Sequence, residues 1–418
     1  MSRTDSTVRV PRFRLAEISS KIGSGATPRG GKESYKAQGI SLIRSMNVYD
    51  FGLEYSGLAY IDEYQAELLV NVKVEEDDVL LNITGASVAR CCIVPKNVLP
   101  ARVNQHIAIV RIKKTKADPY YVHYCLVSPL YKDHLLSIAQ GGATREALTK
   151  EKIEEFRIPV PPLPTQRKIA AILSAYDDLI ENNLRRIKIL EEMAQNLYRE
   201  WFVKFRFPGH ESIPFIDSPL GPIPQGWEVK GVGEVALNFD RLRKPLSSIQ
   251  RADRKGVYPY YGAAKIFDYI DAYIFDGIYL LLAEDGSVVT TDRKPVLQYV
   301  SGKFWPNNHT HILQGKGSVS TEFLYMVLSE IDITGYITGA AQPKITQANL
   351  NRIPVVVAEE STLQSFNEFV RDVFRQKIVF SEKNQVLRRT RDFLLPKLIS
   401  GELDVSELDI PIPQEVGA

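Results

Sequence analysis

From Ile169 onward, apolar residues recur alternately four and three positions apart. The series runs Ile169, Leu173, Tyr176, Ile180, Ile187, Leu190, Ala194, Leu197 and Trp201, with Asn183 filling the remaining step. This is a heptad seam, and it predicts one long helix that buries a single stripe. Moving each position forward by 197 residues gives Phe366, Val370, Val373, Lys377, Phe380, Asn384, Leu387, Arg391, Leu394 and Leu398. The register holds throughout, so a second helix of the same design is expected. At 1.5 Å per residue, each helix of roughly 35–40 residues is a rod of about 55 Å.

Four seam positions are polar: Asn183, Lys377, Asn384 and Arg391. A buried polar seam residue lowers stability but fixes register and partner. The other reading is a wider stripe, with these residues at its wet margin and the long stems of Lys377 and Arg391 reaching to solvent.

The segments before the helices repeat as well. Ala143-Thr144-Arg145-Glu146-Ala147-Leu148-Thr149 is matched, at the same offset, by Ala340-Ala341-Gln342-Pro343-Lys344-Ile345-Thr346. Each leads into a strand-like segment, Arg157-Ile158-Pro159-Val160 or Arg352-Ile353-Pro354-Val355. Farther upstream, Leu15-Ala16-Glu17-Ile18 echoes Val232-Gly233-Glu234-Val235. The chain thus reads as two copies of one plan, a mixed domain followed by a long helix.

Four segments follow from that plan: mixed domains over residues 10–163 and 208–358, and helices over 164–207 and 359–403. A domain of about 150 residues is shorter across than the rod, so it cannot carry the chain back along it. The helices are therefore expected to run antiparallel, with the domains at opposite ends. The expected class is α+β: two mixed α/β domains separated by a long antiparallel two-helix coiled coil, with a pseudo-twofold internal repeat. Pro159, Pro161, Pro162 and Pro164 stiffen the approach to the first helix, and a proline-rich run from Pro208 to Gly226 links onward to Trp227.

Composition narrows the class without deciding it. The 418 residues are 44% hydrophobic and 24% charged, with a net charge of +2. Any nucleic-acid surface must then be local. Cys91, Cys92 and Cys125 form no metal or disulfide spacing, which fits reduced thiols and a cytoplasmic setting. The first residues lack a signal-peptide pattern, and no run of about 18 apolar residues predicts a membrane span.

Gly23-Ser24-Gly25-Ala26-Thr27-Pro28-Arg29-Gly30-Gly31-Lys32-Glu33-Ser34 invites comparison with a phosphate-cradling P-loop. With Gly31-Lys32 as the Gly-Lys pair, the first glycine of GxxxxGK[ST] falls on Ala26 and the magnesium-binding hydroxyl on Glu33. Both fixed positions fail. His309-Thr310-His311 offers two imidazoles on one strand face and no third ligand, so no metal site is expected. Asp285-Gly286-Ser287 reads first as a tight turn, and as a catalytic carboxylate it has no identified partner. No GxSxG, no GxGxxG after a strand and no amino-methyltransferase tetrapeptide is present.

What remains is a set of polar loops in both domains. Ser24, Thr27, Arg29, Lys32, Arg44, Asn47, Arg102, Asn104, Gln105, Thr144 and Arg145 are the candidates in the first. Arg241, Arg243, Lys244, Tyr261, Lys265, Asn307, Asn308, His309, Gln342 and Lys344 are those in the second. Arg and Lys suit phosphates and guanine edges, and Asn and Gln suit adenine edges. The alternative to a DNA-contacting role for any one of them is a solvated loop residue.

Four stretches together resemble the specificity subunit of a Type I restriction-modification system. They are the GSGATP loop with Arg44 to Val48, the segment Arg157 to Ile180 (RIPVPPLPTQRKIAAILSAYDDLI), Gly339 to Val357 (GAAQPKITQANLNRIPVVV) and Leu394 to Leu403 (LLPKLISGEL). The resemblance implies a non-catalytic reader of a bipartite double-stranded DNA target. Each mixed domain would recognise one half. The helices would form an antiparallel spacer and dock two methyltransferase subunits, with restriction and translocase subunits added. S-adenosylmethionine, ATP and magnesium would belong to those partners, and this chain would hold no cofactor. The first copy departs from the pattern, having Arg145-Glu146-Ala147 where the second has Gln342-Pro343-Lys344. The rival reading is a P-loop-like NTPase or a nuclease acting on DNA through the glycine-rich loop or Asp285.

Overall fold

The computed structural model describes residues 10–141, 147–339 and 341–412. The chain divides into two compact units, Met1–Asn182 with Asn384–Ala418, and Asn183–Lys383. The two units share one construction. In the first, strand Arg12–Arg14 pairs antiparallel with strand Arg157–Pro159, placing Phe13 opposite Ile158. In the second, strand Glu228–Gly231 pairs in the same sense with Pro354–Val357, placing Lys230 opposite Val355. Each opening strand runs into a four-residue helix, Leu15–Ile18 or Val232–Val235. Its glutamate reaches back to the free N–H at the helix start: Glu17 Oε2 accepts from Arg14 N at 2.7 Å, and Glu234 Oε2 from Gly231 N at 2.6 Å.

A buried strand organises each unit. Ile107–Ile112 lies between Ser19–Ser24 and Val79–Asn82, with Cys91–Ile93 beyond the latter. Thr310–Gly315 lies between Ala236–Asn238 and Phe275–Ala283, with Leu297–Pro306 beyond. The units then diverge. The first carries a separate four-stranded sheet containing Ile40–Ile43 and Ala101–Val103, whereas the second extends one sheet to six strands through Lys255–Tyr261 and Ile266–Ile270.

Matching helices are capped by matching chemistry. Asp118 accepts from Tyr121 N at 2.9 Å at the start of Pro119–Val127, and Ser320 from Phe323 N at 3.0 Å at the start of Thr321–Glu330. Thr149 and Thr346 cap the short helices Lys150–Glu154 and Gln347–Asn351 in the same way.

The seam residues lie on the long helices Leu163–Tyr198 and Glu360–Ser400, except Trp201, which lies on the π-helical turn Arg199–Val203, and each unit contains one antiparallel crossing of the two. In the first unit, Asn384 Nδ2 donates to Ile180 O at 3.3 Å, Arg391 pairs with Asp177 at 2.5 Å, and Lys168 reaches Ser406 O at 2.6 Å. Ile169, Leu173, Ile180 and Leu398 are buried here. In the second unit, Arg186 lies over the Phe380 ring, Lys377 pairs with Glu191 at 2.5 Å, and Trp201 packs on Phe366. Phe366, Val370 and Val373 are buried, while Tyr176, Ile187, Leu190, Leu197, Phe380, Leu387 and Leu394 are half-buried. Arg391 is only 7% exposed, so the wet-margin reading fails for it. Lys377 is half-buried, with its ammonium among the rings of Phe374, Tyr325 and Tyr299.

Gln166, in the PTQRKI segment, is fully buried. It accepts from Asp118 N at 2.9 Å and donates to Pro161 O at 2.7 Å, which ties the long helix to the helix Pro119–Val127. Among the described residues no helix is long and apolar enough to cross a membrane.

Candidate nucleic-acid interface

The same turn is built twice at one end of the central strands. In the first unit, strand Val79–Asn82 leaves the sheet through Ile83-Thr84-Gly85, where Gly85 takes φ +75°. The chain returns through Asn104-Gln105-His106 into Ile107–Ile112. Ile83 N donates to His106 O at 2.9 Å, Asn104 Oδ1 accepts from His106 N at 3.2 Å, and His106 Nδ1 meets Thr84 Oγ1 at 2.7 Å. In the second unit, Phe275–Ala283 leaves through Glu284-Asp285-Gly286, with Gly286 at φ +77°. The return is Asn307-Asn308-His309. Glu284 N donates to His309 O at 2.9 Å, Asn307 Oδ1 accepts from His309 N at 2.9 Å, and His309 Nδ1 meets Asp285 Oδ1 at 2.6 Å. A third segment closes each turn: Leu148 N donates to Ile83 O at 2.9 Å, and Ile345 N to Glu284 O at 2.8 Å.

The glycine-rich loop packs on the first of these turns. Gly25 N donates to Ile107 O at 2.8 Å and Ala26 N to Val103 O at 3.0 Å, while Thr27 Oγ1 contacts Gln105 Oε1. A Cβ on Gly25 would stand 2.1 Å from Val103 O, so only glycine fits. Gly30 and Gly31 adopt φ of +87° and +57°, and beyond them lies only the short turn Gly31–Ser34. A phosphate-cradling loop must open a full helix, whose N-terminus holds the anion. The fold therefore removes the structural basis for the P-loop reading.

The predicted contact residues divide by surroundings. Ser24, Thr27, Arg29, Lys32, Gln105, Arg241, Lys244, Lys265, Asn308, His309, Gln342 and Lys344 are exposed. Among the described residues, the side chains of Arg29, Lys32, Arg241, Lys244 and Lys265 enter no ion pair. Asn104 is half-buried and shapes its turn, and half-buried Tyr261 packs edge-on against Phe304. Arg44 is half-buried, donates to Gly57 O and lies over the Tyr35 ring. Thr144 and Arg145 lie outside the described residues.

Three assignments need correction. Asn47 is fully buried and braces its own loop, accepting from Arg44 N at 3.0 Å and donating to Glu54 O at 2.9 Å. Arg102 is 6% exposed, with its guanidinium on the carbonyls of Ala66 and Ala101 at 3.1 Å, and burial lowers its pKa. Asn307 is 4% exposed and is the bracing residue of its turn. These side chains are spent on internal carbonyls and amides, so they hold the loops rather than face a ligand.

Below the second turn lies a charge cluster that sequence spacing does not reveal. Half-buried Arg243 meets Glu284 at 2.5 Å and Asp240 at 3.7 Å, and donates to the carbonyls of Thr310 and Asn308. Lys344 meets Glu284 at 3.1 Å. His311, 1% exposed, faces Asp240 Oδ2 at 2.5 Å and Ile345 O at 2.8 Å. Burial alone would raise the Asp240 and Glu284 carboxyls. The donors, led by His311 for Asp240 and by Arg243 for Glu284, outweigh it and hold both low. Donor atoms of Asp240, Glu284 and His311 lie within 4.8 Å of one another, a spacing a metal ion could use. Arg243 and Lys344 already neutralise that charge, so the geometry is that of an ion-pair network. In the first unit, Ile83 and Ala108 stand where Glu284 and His311 do, and they line a small pocket with Ile22, Leu148 and Ile153.

The model of the Type I restriction modification DNA specificity domain matches residues 11–192 and again 224–364, one match on each copy of this construction. The chain belongs to that family. It is similar to the Type I restriction enzyme MjaIX specificity subunit of Methanocaldococcus jannaschii, 28% identical over 328 residues, 74% of each chain. It is also similar to the putative MjaX specificity subunit of the same organism, 24% identical over 403 residues, 94% of this chain and 93% of the relative. The S subunit of a Type I system from M. genitalium shares the fold, with a TM-score of 0.60 at 14% identity over 95% of this chain and 98% of that one. The chain is thus a specificity subunit, the DNA-recognition component of a restriction-modification complex, and nothing favours the NTPase or nuclease alternative.

In the sequence, RVNQH and NNHTH stand as separate polar loops with nothing to align them. His106, Thr84 and Asp285 escape notice there as members of one repeated turn, although the shared Asn-x-His spacing before each central strand carries the signal.

Proposed function

We propose that each unit reads one half of a bipartite double-stranded DNA target through the loops around its Asn-x-His turn, and that the chain performs no chemistry itself. The observation that carries this is the duplication. Two turns with the same backbone hydrogen bonds and the same Asn brace present different side chains, as two half-sites of different sequence require. Exposed cations accompany both: Arg29 and Lys32 in the first unit, Arg241, Lys244 and Lys265 in the second. Such residues suit phosphates, while turn residues suit base edges. The long helices would dock two methyltransferase subunits, with restriction and translocase subunits added. Those partners would hold S-adenosylmethionine, ATP and magnesium, with this chain binding none of them, in the cytoplasm where foreign DNA arrives.

The test is a swap. Replacing residues 10–160 with the matching segment of a relative should change one half of the sequence methylated by the assembled complex and leave the other intact. A swap that altered both halves equally would refute the modular reading.

A further inference from the structure

His106 and His309 occupy equivalent places, yet their ring nitrogens are left in different situations. In the first unit both nitrogens are engaged: Nδ1 with Thr84 Oγ1 at 2.7 Å, and Nε2 with the Gln105 side-chain amide at 3.2 Å. In the second unit, Asn308 stands where Gln105 stands and is one methylene shorter. His309 Nδ1 meets Asp285 Oδ1 at 2.6 Å, and its Nε2 makes no hydrogen bond among the described residues. An ionised carboxylate only accepts, so Asp285 places the ring hydrogen on Nδ1 and leaves Nε2 of the neutral ring as a bare acceptor. The ring cannot turn away without leaving Asp285, and its backbone is fixed by Asn307 at 2.9 Å. His309 nonetheless keeps a 47% exposed side chain. An oriented acceptor that faces solvent, on a braced turn of a DNA-reading domain, is the arrangement that reads a donor on a base edge.

We infer that His309, oriented by Asp285, is a specificity-determining residue of the second unit, with Nε2 accepting from the exocyclic amino group of an adenine or a cytosine. Those amino groups are the donors that bases present in the major groove. In the first unit the corresponding reader is the Gln105 amide, lent rigidity by His106 and Thr27, so one scaffold supports two different recognitions. The inference rests on the reading that each unit recognises one half-site.

The experiment measures binding of the complex isolated from its host to a panel of duplexes with every single-base change in both half-sites. It compares the unaltered chain with His309→Ala and Asp285→Asn. His309→Ala should lose roughly ten- to hundredfold discrimination at one base pair of a single half-site. At that pair, removing the amino group (purine for adenine, 2-pyrimidinone for cytosine, which tells the two apart) should weaken the unaltered complex and not the His309→Ala complex. Asp285→Asn can donate to Nδ1 and move the ring hydrogen to Nε2, so it should turn the preference toward a base acceptor. Uniform weakening on every duplex would make His309 a phosphate contact and overturn the inference, as would unchanged discrimination. If the unaltered complex showed no half-site discrimination at all, the underlying reading would fall as well.

Discussion

The Arg391 guanidinium lies 2.5 Å from Asp177 and 3.5 Å from the centre of the Phe51 ring, so an ion pair between the two long helices is stacked on a loop of the first recognition unit. Tyr124 donates to the same carboxylate at 2.6 Å, and Asp392 shares the guanidinium at 2.8 Å. Burial raises the Asp177 carboxyl despite these donors, while for Arg391 the two carboxylates outweigh burial and raise it. Position 391 corresponds in the repeat to Ala194, which is buried among apolar neighbours of the second unit. The two helix crossings are therefore chemically different at this position.

Arg391→Met should destabilise the first unit by about 1–3 kcal/mol, because removing one partner leaves the half-buried Asp177 carboxylate without its cation. Adding Asp177→Asn should recover part of the loss. Urea unfolding of the single and double variants checks both, and equal losses in the two would contradict the pairing.

His123 is buried, donates through Nε2 to Cys91 O at 3.1 Å, and is pushed down by burial to about 4. A base whose folded value is depressed stabilises the fold fully above its unfolded value near 6.5 and loses that contribution as pH falls to about 4. The first unit should lose about 3 kcal/mol across that window. In His123→Gln this one-proton slope should vanish, which unfolding measured at several pH values would show.

Gly25→Ala places a methyl 2.1 Å from Val103 O and 2.4 Å from Asn104 O, both backbone atoms. The glycine-rich loop must shift off the Asn104-Gln105-His106 turn, at a cost of about 1–3 kcal/mol. Thermal unfolding should register the destabilisation, and sequence discrimination should weaken in one half-site only.

Arg29→Ala combined with Lys32→Ala removes two exposed cations whose side chains enter no ion pair among the described residues. Stability should stay within about 0.5 kcal/mol. DNA affinity should fall by a similar factor on all sequences, and the salt slope should drop by about 1 for each phosphate no longer neutralised. A change in base preference would contradict the phosphate assignment.

Spacing along the chain is enough to establish the duplication and the helices. A heptad stripe is a local periodicity, so Ile169 to Leu197 and Phe366 to Leu394 can be read without coordinates. Ala26 and Glu33 show, again by position alone, that the glycine-rich loop departs from a P-loop. Which polar residues face outward is a different matter, settled only in the folded chain. Asn47, Arg102 and Asn307 look like Asn104, Arg29 and Asn308 in a sequence, but Arg102 is held by Ala66 and Asn307 by Tyr261, tens of residues away, and Asn47 is turned inward onto its own loop. The partners of His309 and Arg391 are separated from them by 24 and 214 positions. Hydrogen bonds and ion pairs act at about 3 Å through space, so the repeated turn and the Arg391 pair exist only once the strands and helices have been brought together.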